Sequence, residues 1–315
     1  TRQSAASGVR RVFRDALGRE PTVEEREEAL AFLAAQQSAY VDSQREASRG
    51  ISDRSLVVWL RAEGLAEGPL DRWQNRRPGV AAIQFLPLGS RRPVVRNDAT
   101  PEHRAAVQFG PRPSVLKTAD HPSLNLGTGD FTISVVFQLD RANKGGHQIL
   151  GKDSFPGSGG DYTGYFFHET DGKLRFATRN RRDGEGQQNY LDSHGAIVKG
   201  RWHRATAVRR QQQLRLFLDD ADRVDRELRE SAPTNTDIGV GLKLGLIDES
   251  LSGAFHGAIA EVRIYRRAME NDEVRRLHAL LGSYYLAARP IDPLELALAD
   301  LCQAVFCLNE FIYVE

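Results

Sequence analysis

The sequence predicts a mainly β fold, an antiparallel sandwich of the jelly-roll type, with N- and C-terminal helices packed together beside it. Three observations carry that expectation. The middle of the chain has apolar residues at period 2, its connections are rich in glycine with no helical pattern between strands, and both ends carry apolar stripes at helical spacing that need partners.

Residues 7–47 read as two helices. Val9, Val12, Phe13, Ala16 and Leu17 recur at helical spacing, and Gly18 supplies a C-terminal stop. Thr22 followed by Glu25 forms a capping box, and Leu30, Leu33, Ala34, Gln37 and Tyr40 continue a second stripe. The period then changes from near 3.6 to 2. FTISVVFQL sends Phe131, Ile133, Val135, Phe137 and Leu139 to one face and Thr132, Ser134 and Gln138 to the other. GYFFHETDGKLRFATR reads as two strands around Asp171-Gly172, a hairpin signal. GRWHRATAVRRQQQLRLFLDD supplies another pair, with Leu214, Leu216 and Leu218 facing one way, and GAIAEVRIYRR gives a further strand. Helical spacing returns in MENDEVRRLHALLGSYY. The last segment puts Leu294, Leu298, Leu301, Val305 and Leu308 on one side of a helix, with Pro293 in its first turn.

Composition narrows the function classes. The 315 residues are enough to bury a sizeable core, and a net charge of +1 gives no bulk field toward nucleic acid or an anionic membrane. Only 6 of the 43 basic residues are lysine, an arginine excess that reads as solvated surface and genome composition. No stretch reaches the roughly 18 to 20 apolar residues of a membrane-spanning helix. Met269 is the one methionine and Thr1 comes first, so the chain reads as a fragment or processed product whose start does not reveal a compartment. Cys302 and Cys307 sit roughly 140° apart on a helix, poor geometry for a bridge and no metal spacing, so both read as plain buried thiols.

In order and spacing, SLNLGTGDFTISVVFQL, HQILGK, DGKLRFATR, GRWHRATAVRR with LRLFLDD, and GAIAEVRIYRRAMENDEVRRL resemble the laminin-G-like, concanavalin A-like lectin/glucanase sandwich. LVVWLRAEG and AAVQFGPRPSVLKT resemble its entry strands, so the resemblance covers about residues 52–282. The flanks resemble a different family. VFRDALGREPTVEEREEALAFLAAQQSAY and LELALADLCQAVFCLNEFIYVE are similar to the two parts of the C-terminal helical region of planctomycete proteins with the domain of unknown function 1553, often joined to a cytochrome-c-like domain. That resemblance implies a helical host made of residues 1–50 and 283–315, a β-sandwich guest over 51–282, and an exported, periplasmic or envelope-associated protein. Against the usual sandwich pattern, Ala260 replaces an aspartate that can ligate a structural calcium in related sandwiches, which weakens that site. Asp220 stands where a turn glycine is usual. Gln211 to Gln213 replace a glycine-bearing turn and suggest a longer or reshaped loop.

Glycosidases on this fold need paired carboxylates on one strand, and no E-x-D-x-x-E strand is present; Asp248-Glu249 lies in a loop and Glu261 reads as structural. His168-Glu169 lacks the second histidine of a zinc helix, and GSGGDYTG leads into a strand, not a helix N-terminus. Trp59 and Trp202 read as core, and His203, which follows Trp202, as structural. Sugar recognition uses aromatic faces with neighbouring hydrogen-bonding groups. Phe155, Asp161, Tyr162, Arg181, Asp183, Asn189 and Tyr190 lie in connections around the central hairpin and could line one rim; the same aromatics could instead cover the core edge. The expectation is therefore a non-enzymatic, lectin-like module binding a polysaccharide or glycoconjugate. A docking or spacer domain that contacts other parts of the parent protein stands as the alternative, with a glycoside hydrolase or lyase behind both. No cofactor and no nucleic-acid partner is expected, and the metal question stays open.

Overall fold

The structure, a computed structural model, describes residues 2–49, 53–77, 83–110, 113–140, 147–154, 162–182, 185–245, 254–286 and 293–306. The chain divides into two compact units, Thr1–Ser52 with Arg289–Glu315, and Asp53–Ala288.

The first unit contains α1 (Arg2–Leu17), α2 (Val23–Arg49) and, from the other end of the chain, α4 (Pro293–Phe306). Val9, Phe13 and Ala16 of α1, Ala29 and Leu33 of α2, and Ala297, Leu301 and Val305 of α4 share one buried cluster. Gly8 lets α4 approach closely, since a Cβ there would lie 2.7 Å from Leu298 Cδ2. Tyr40 Oη donates to Asp300 Oδ2 at 2.6 Å, a bond across 260 residues of chain. The capping box forms: Thr22 N donates to Glu25 Oε2 at 2.7 Å and Glu25 N to Thr22 Oγ1 at 3.2 Å. Arg19 and the Thr22 amide hold the Glu25 carboxyl down at about 2. Two details of the sequence reading change. Ala34 is exposed, because the buried stripe of α2 runs through Ala29 and Leu33. Cys302 is a free thiol and half-buried, and Cys307 and Leu308 lie outside the described residues.

The second unit is the sandwich. Its strands are β1 (Leu56–Arg61), β2 (Gly68–Pro69), β3 (Trp73–Gln74), β4 (Gln84–Pro87), β5 (Val94–Arg96), β6 (Ala106–Phe109), β7 (Leu116–Lys117), β8 (Phe131–Leu139), β9 (His147–Asp153), β10 (Tyr162–Thr170), β11 (Lys173–Arg182), β12 (Glu185–Ala196), β13 (Trp202–Arg210), β14 (Gln213–Leu218), β15 (Arg226–Arg229), β16 (Lys243–Leu244) and β17 (Gly257–Tyr265), followed by α3 (Asn271–Tyr285). Among the described residues these form two sheets, and every pairing is antiparallel. The front sheet runs β12-β11-β10-β9-β16-β7-β4-β3 and the back sheet β15-β14-β13-β8-β17-β6-β5-β2. β1 also joins the back sheet through β17, which gives β6 its first three residues and β1 the rest of the same edge.

Period-2 alternation puts Phe131, Ile133, Val135, Phe137 and Leu139 of the back sheet against Ile149, Tyr165, Phe167, Phe176 and Leu191 of the front sheet, one continuous core. The opposite face of β8 is buried as well, which its polar residues do not suggest. α3 covers it, packing Leu277, Leu281 and Tyr285 on Trp59, Val136, Trp202 and Val208. The polar groups trapped there are bonded: Thr206 Oγ1 donates to Ser134 Oγ at 3.0 Å and lies 2.9 Å from His278 Nε2. Burial pulls the His278 imidazole down to about 3. Both tryptophans assigned to the core are in it, with Trp59 Nε1 donating to Glu261 Oε1 at 3.0 Å and Trp202 Nε1 to Ala99 O at 3.1 Å.

Asp171 and Gly172, at φ 52° and 75°, make the left-handed turn between β10 and β11. The glutamine turn is no longer than a glycine one: Arg210 pairs with Gln213, so two residues connect β13 to β14, with Gln211 at φ 52° and its N–H bonded to Asp130 Oδ1 at 2.6 Å. At the end of β14 the residue in the left-handed region is Asp219, at φ 59°, rather than Asp220.

Candidate functional site

β9 to β12 are the long strands of the front sheet, and the face turned away from the core carries three of the four described residues that the sequence singles out. Register places its side chains in rows. One row is Asp192, Arg175, His168, Gln148. The next is Tyr190, Ala177, Phe166, Gly151, Lys243, Lys117, Leu86, crossing from β12 to β4. A third is Gln188, Arg179, Gly164, Asp153, and beyond it Arg181 pairs with Tyr162.

Small residues at the centre of these rows let long side chains lie across them. Gly164 sits between Arg179 and Asp153, at φ 129°, where a Cβ would lie 2.1 Å from Lys152 O. Arg179 therefore reaches over β10, and its Nη2 donates to Asp153 Oδ2 at 3.0 Å. Its guanidinium carbon also lies 4.9 Å from the Tyr162 ring centre and 4.4 Å from that of Phe166, one ring on each side of the glycine. Gln148 Nε2 closes over Gly151 to donate to Asp153 Oδ1 at 3.0 Å, and Lys243 Nζ stands 3.8 Å from the same oxygen. Burial pushes the Asp153 carboxyl up, against the pull of Lys243 and Arg179.

At the β12 edge the arrangement opens to solvent. Tyr190 is 36% exposed and is the one aromatic among the exposed large apolar side chains described. Its ring lies against Arg175, whose guanidinium carbon is 4.8 Å from the ring centre, and its hydroxyl donates to Gln188 Oε1 at 2.9 Å. Arg175 is fixed in turn by a two-point pair with Asp192, at 2.6 and 2.8 Å. The pair holds the Asp192 carboxyl below, and the Arg175 guanidinium above, its ordinary value.

Tyr162, Arg181 and Tyr190 thus share one face. Asn189 does not. It points to the inner side, where its Nδ2 donates to Glu230 Oε1 at 2.9 Å and Thr234 Oγ1 at 2.8 Å and lies 3.2 Å from Thr178 Oγ1, stitching β12 to the segment after β15. Phe155, Asp161 and Asp183 lie outside the described residues. Sequence reading passed over Arg175, Arg179, Phe166 and Gln188, although the signal was present: once LRFATRNR is read as a strand, every second residue from Arg175 to Arg181 must face the same way as Tyr162.

Among the described residues, no group of three or more His, Cys, Asp or Glu side chains is arranged to hold a metal ion. Glu261 is structural. Its carboxylate accepts from Arg61 Nε at 2.9 Å, from Trp59 Nε1, from Arg263 Nε and from Tyr285 Oη.

Residues 115–275, just over half of the chain, match the laminin-G-type family described as the concanavalin A-like lectin/glucanases superfamily. The chain belongs to that superfamily. Solved structures similar to this concanavalin A-like sandwich include the binding domain of Paraclostridial Mosquitocidal Protein 1, at 16% identity and TM-score 0.54 over 71% of this chain and 52% of that one. The binding domain of botulinum neurotoxin DC in complex with rat synaptotagmin II matches at 10% identity and TM-score 0.52, covering 71% and 51%. A structure of botulinum neurotoxin type C, whose cell entry depends on interaction with two ganglioside molecules, matches at 11% identity and TM-score 0.50, covering 71% and 50%. At these identities the likeness is one of fold. The chain spans about half the length of the solved domains it matches. No curated protein matches it.

Proposed function

We propose that the sandwich is a non-catalytic recognition module that binds a polysaccharide or glycoconjugate along the outer face of β10 to β12. The observation that carries this reading is Tyr190: an exposed ring held in place by the Arg175–Asp192 pair beneath it and by Gln188 at its hydroxyl. A pyranose has one apolar face and a rim of hydroxyls, so it needs a fixed aromatic surface bordered by donors and acceptors. Tyr190, Arg175, Asp192, Gln188, His168 and, beyond the Arg179 bridge, Tyr162 and Arg181 provide that combination within three adjacent strands.

The two carboxylates in these rows, Asp153 and Asp192, are each bonded to an arginine, which suits binding better than proton transfer and attack. A protein-docking face would present a contiguous apolar patch. Among the described residues, the exposed large apolar side chains of the sandwich instead stand apart: Tyr190 on β12, Leu86 and Leu88 by β4, six strands or roughly 29 Å away, and Val198 after β12. The similar toxin domains support a binding role in general terms, with one bound to synaptotagmin and another dependent on gangliosides. In the full protein we read the helical unit as host and residues 53–288 as an inserted guest on an exported, envelope-associated bacterial protein. The core shared by α1, α2 and α4 supports the insertion. A glycan array probed with the full chain, with and without chelator, tests the proposal. A positive glycan whose signal is lost in Tyr190→Ala supports it; binding that Tyr190→Ala leaves unchanged removes this face as the site.

A further inference from the structure

A second recess lies on the back sheet, where the segment after β5, the start of β13 and the C-terminal end of α3 meet. A cavity of about 270 Å³ opens there, lined by Pro101, Arg201, Trp202, Arg204, Asp219 and Leu286. Pro101, Trp202 and Leu286 give it an apolar wall, and two arginines and one aspartate form the rest.

Its lining carries two guanidiniums and one carboxylate. Both oxygens of Asp219 are occupied: Oδ2 lies 2.8 Å from His203 Nδ1, and Oδ1 accepts from Arg204 N at 3.0 Å. Arg204 is held by the backbone, its Nη2 donating to Asp219 O at 2.6 Å and its Nη1 to His278 O, while its Nε is buried with no partner among the described residues. Arg201 is exposed and makes no ion pair with any described residue. The recess is thus lined by two guanidiniums and by one carboxylate whose oxygens are both engaged, while the Asp220 carboxylate, outside the lining, also acts on Arg204. Asp219 is in addition one of the few non-glycine residues held in the left-handed region, a conformation that persists only where the surroundings impose it and that clusters at ligand sites.

We propose that this recess binds a small organic carboxylate, with its acid group between Arg201 and Arg204 and its carbon skeleton against Trp202, Pro101 and Leu286. Guanidinium groups suit a planar carboxylate by charge and by geometry. The volume is below the usual range for drug-sized ligands and matches a single sugar acid or a molecule of that size. The site is separate from the front-sheet face and does not depend on the reading of it.

The test is a heteronuclear NMR titration of the full chain, following the Trp202 indole N–H, with glucuronate, glucose and sulfate as probes. Glucuronate should shift that resonance saturably and more weakly as salt is added, glucose should not, and sulfate should bind less well than glucuronate. Arg201→Gln, which leaves the Arg204 bonds in place, should weaken glucuronate about three- to tenfold. No saturable shift with glucuronate, equal affinity for glucose or for sulfate, or unchanged affinity in Arg201→Gln would each overturn the assignment. Tyr190→Ala should leave this titration unaltered, which separates its failure from that of the glycan face.

Discussion

Replacing Glu261 by Gln tests whether the buried charge cluster under α3 holds the sandwich together. Glu261 is 1% exposed, and Arg61 and Arg263, its partners, are 7% and 2% exposed. Removing the carboxylate leaves two guanidiniums side by side with little water to solvate them, and breaking a buried pair in this way costs about 3–5 kcal/mol. The pH behaviour gives an independent figure. Arg263 and Arg61 hold the Glu261 carboxyl at about 2, against an ordinary value of 4.5 and in spite of burial. A carboxyl depressed in the folded state stabilises it fully above the unfolded value, and that contribution is lost as pH falls from about 4.5 toward about 2. At 1.36 kcal/mol per pKa unit it amounts to about 3 kcal/mol, in line with the first figure. All three tryptophans, Trp59, Trp73 and Trp202, lie in the sandwich unit, so tryptophan fluorescence during urea unfolding reports on that unit. With a urea slope of about 3 kcal/mol/M, Glu261→Gln should lower the midpoint by roughly 1 M or more at neutral pH, and the gap from the native chain should narrow as pH drops below 4. A midpoint shift corresponding to less than about 1 kcal/mol, or a gap independent of pH, would refute this account of the cluster.

Gly164→Ala puts a Cβ 2.1 Å from Lys152 O at a backbone φ of 129°, and should cost about 1–3 kcal/mol in the same urea assay while breaking the Arg179–Asp153 bridge. Lys152 has a fully buried side chain whose Nζ donates to Asp120 Oδ1 at 2.7 Å, Ile238 O at 2.5 Å and Val240 O at 2.6 Å; Lys152→Met should destabilise the sandwich by about 3 kcal/mol, and a neutral outcome would show that those oxygens find other partners. Leu301→Ala hollows the core where α4 meets α1 and α2 and should cost about 2–4 kcal/mol, read as an earlier loss of helical circular dichroism.

The period-2 runs around Phe131 and Leu214 and the Asp171-Gly172 turn made the core face of the sandwich legible before any coordinates, because alternation and turn chemistry are local. What covers the second face of β8 was not legible. Thr132, Ser134 and Gln138 look solvent-facing, and only the packing of α3, with Thr206, His278 and the Arg267 carbonyl as partners, turns most of that face into interior. The glutamine turn misled for a related reason: Asp130, far away in the chain, supports Gln211 in a conformation that glycine would adopt unaided. At the candidate site residue type alone points to Tyr162, Arg181 and Tyr190 as residues of connections; the structure places them instead in β10, β11 and β12, on one face. Asn189 was misplaced because residue type does not give parity; one position along β12 reverses the face, and Asn189 meets Glu230 and Thr234 inside while Tyr190 looks out. Strand parity puts Arg179 on the same face as Arg181, but its bond to Asp153, reached across a glycine on an intervening strand, is visible only in the register.

Calorimetric titration of the strongest array-positive glycan into the native chain, Tyr190→Phe and Tyr190→Ala measures the claim that the front sheet is a glycan-binding face. Native chain and Tyr190→Phe should bind within a few-fold of each other, since both keep the ring on Arg175, and Tyr190→Ala should lose at least about tenfold with its urea midpoint nearly unchanged. Equal affinity for all three proteins would contradict it.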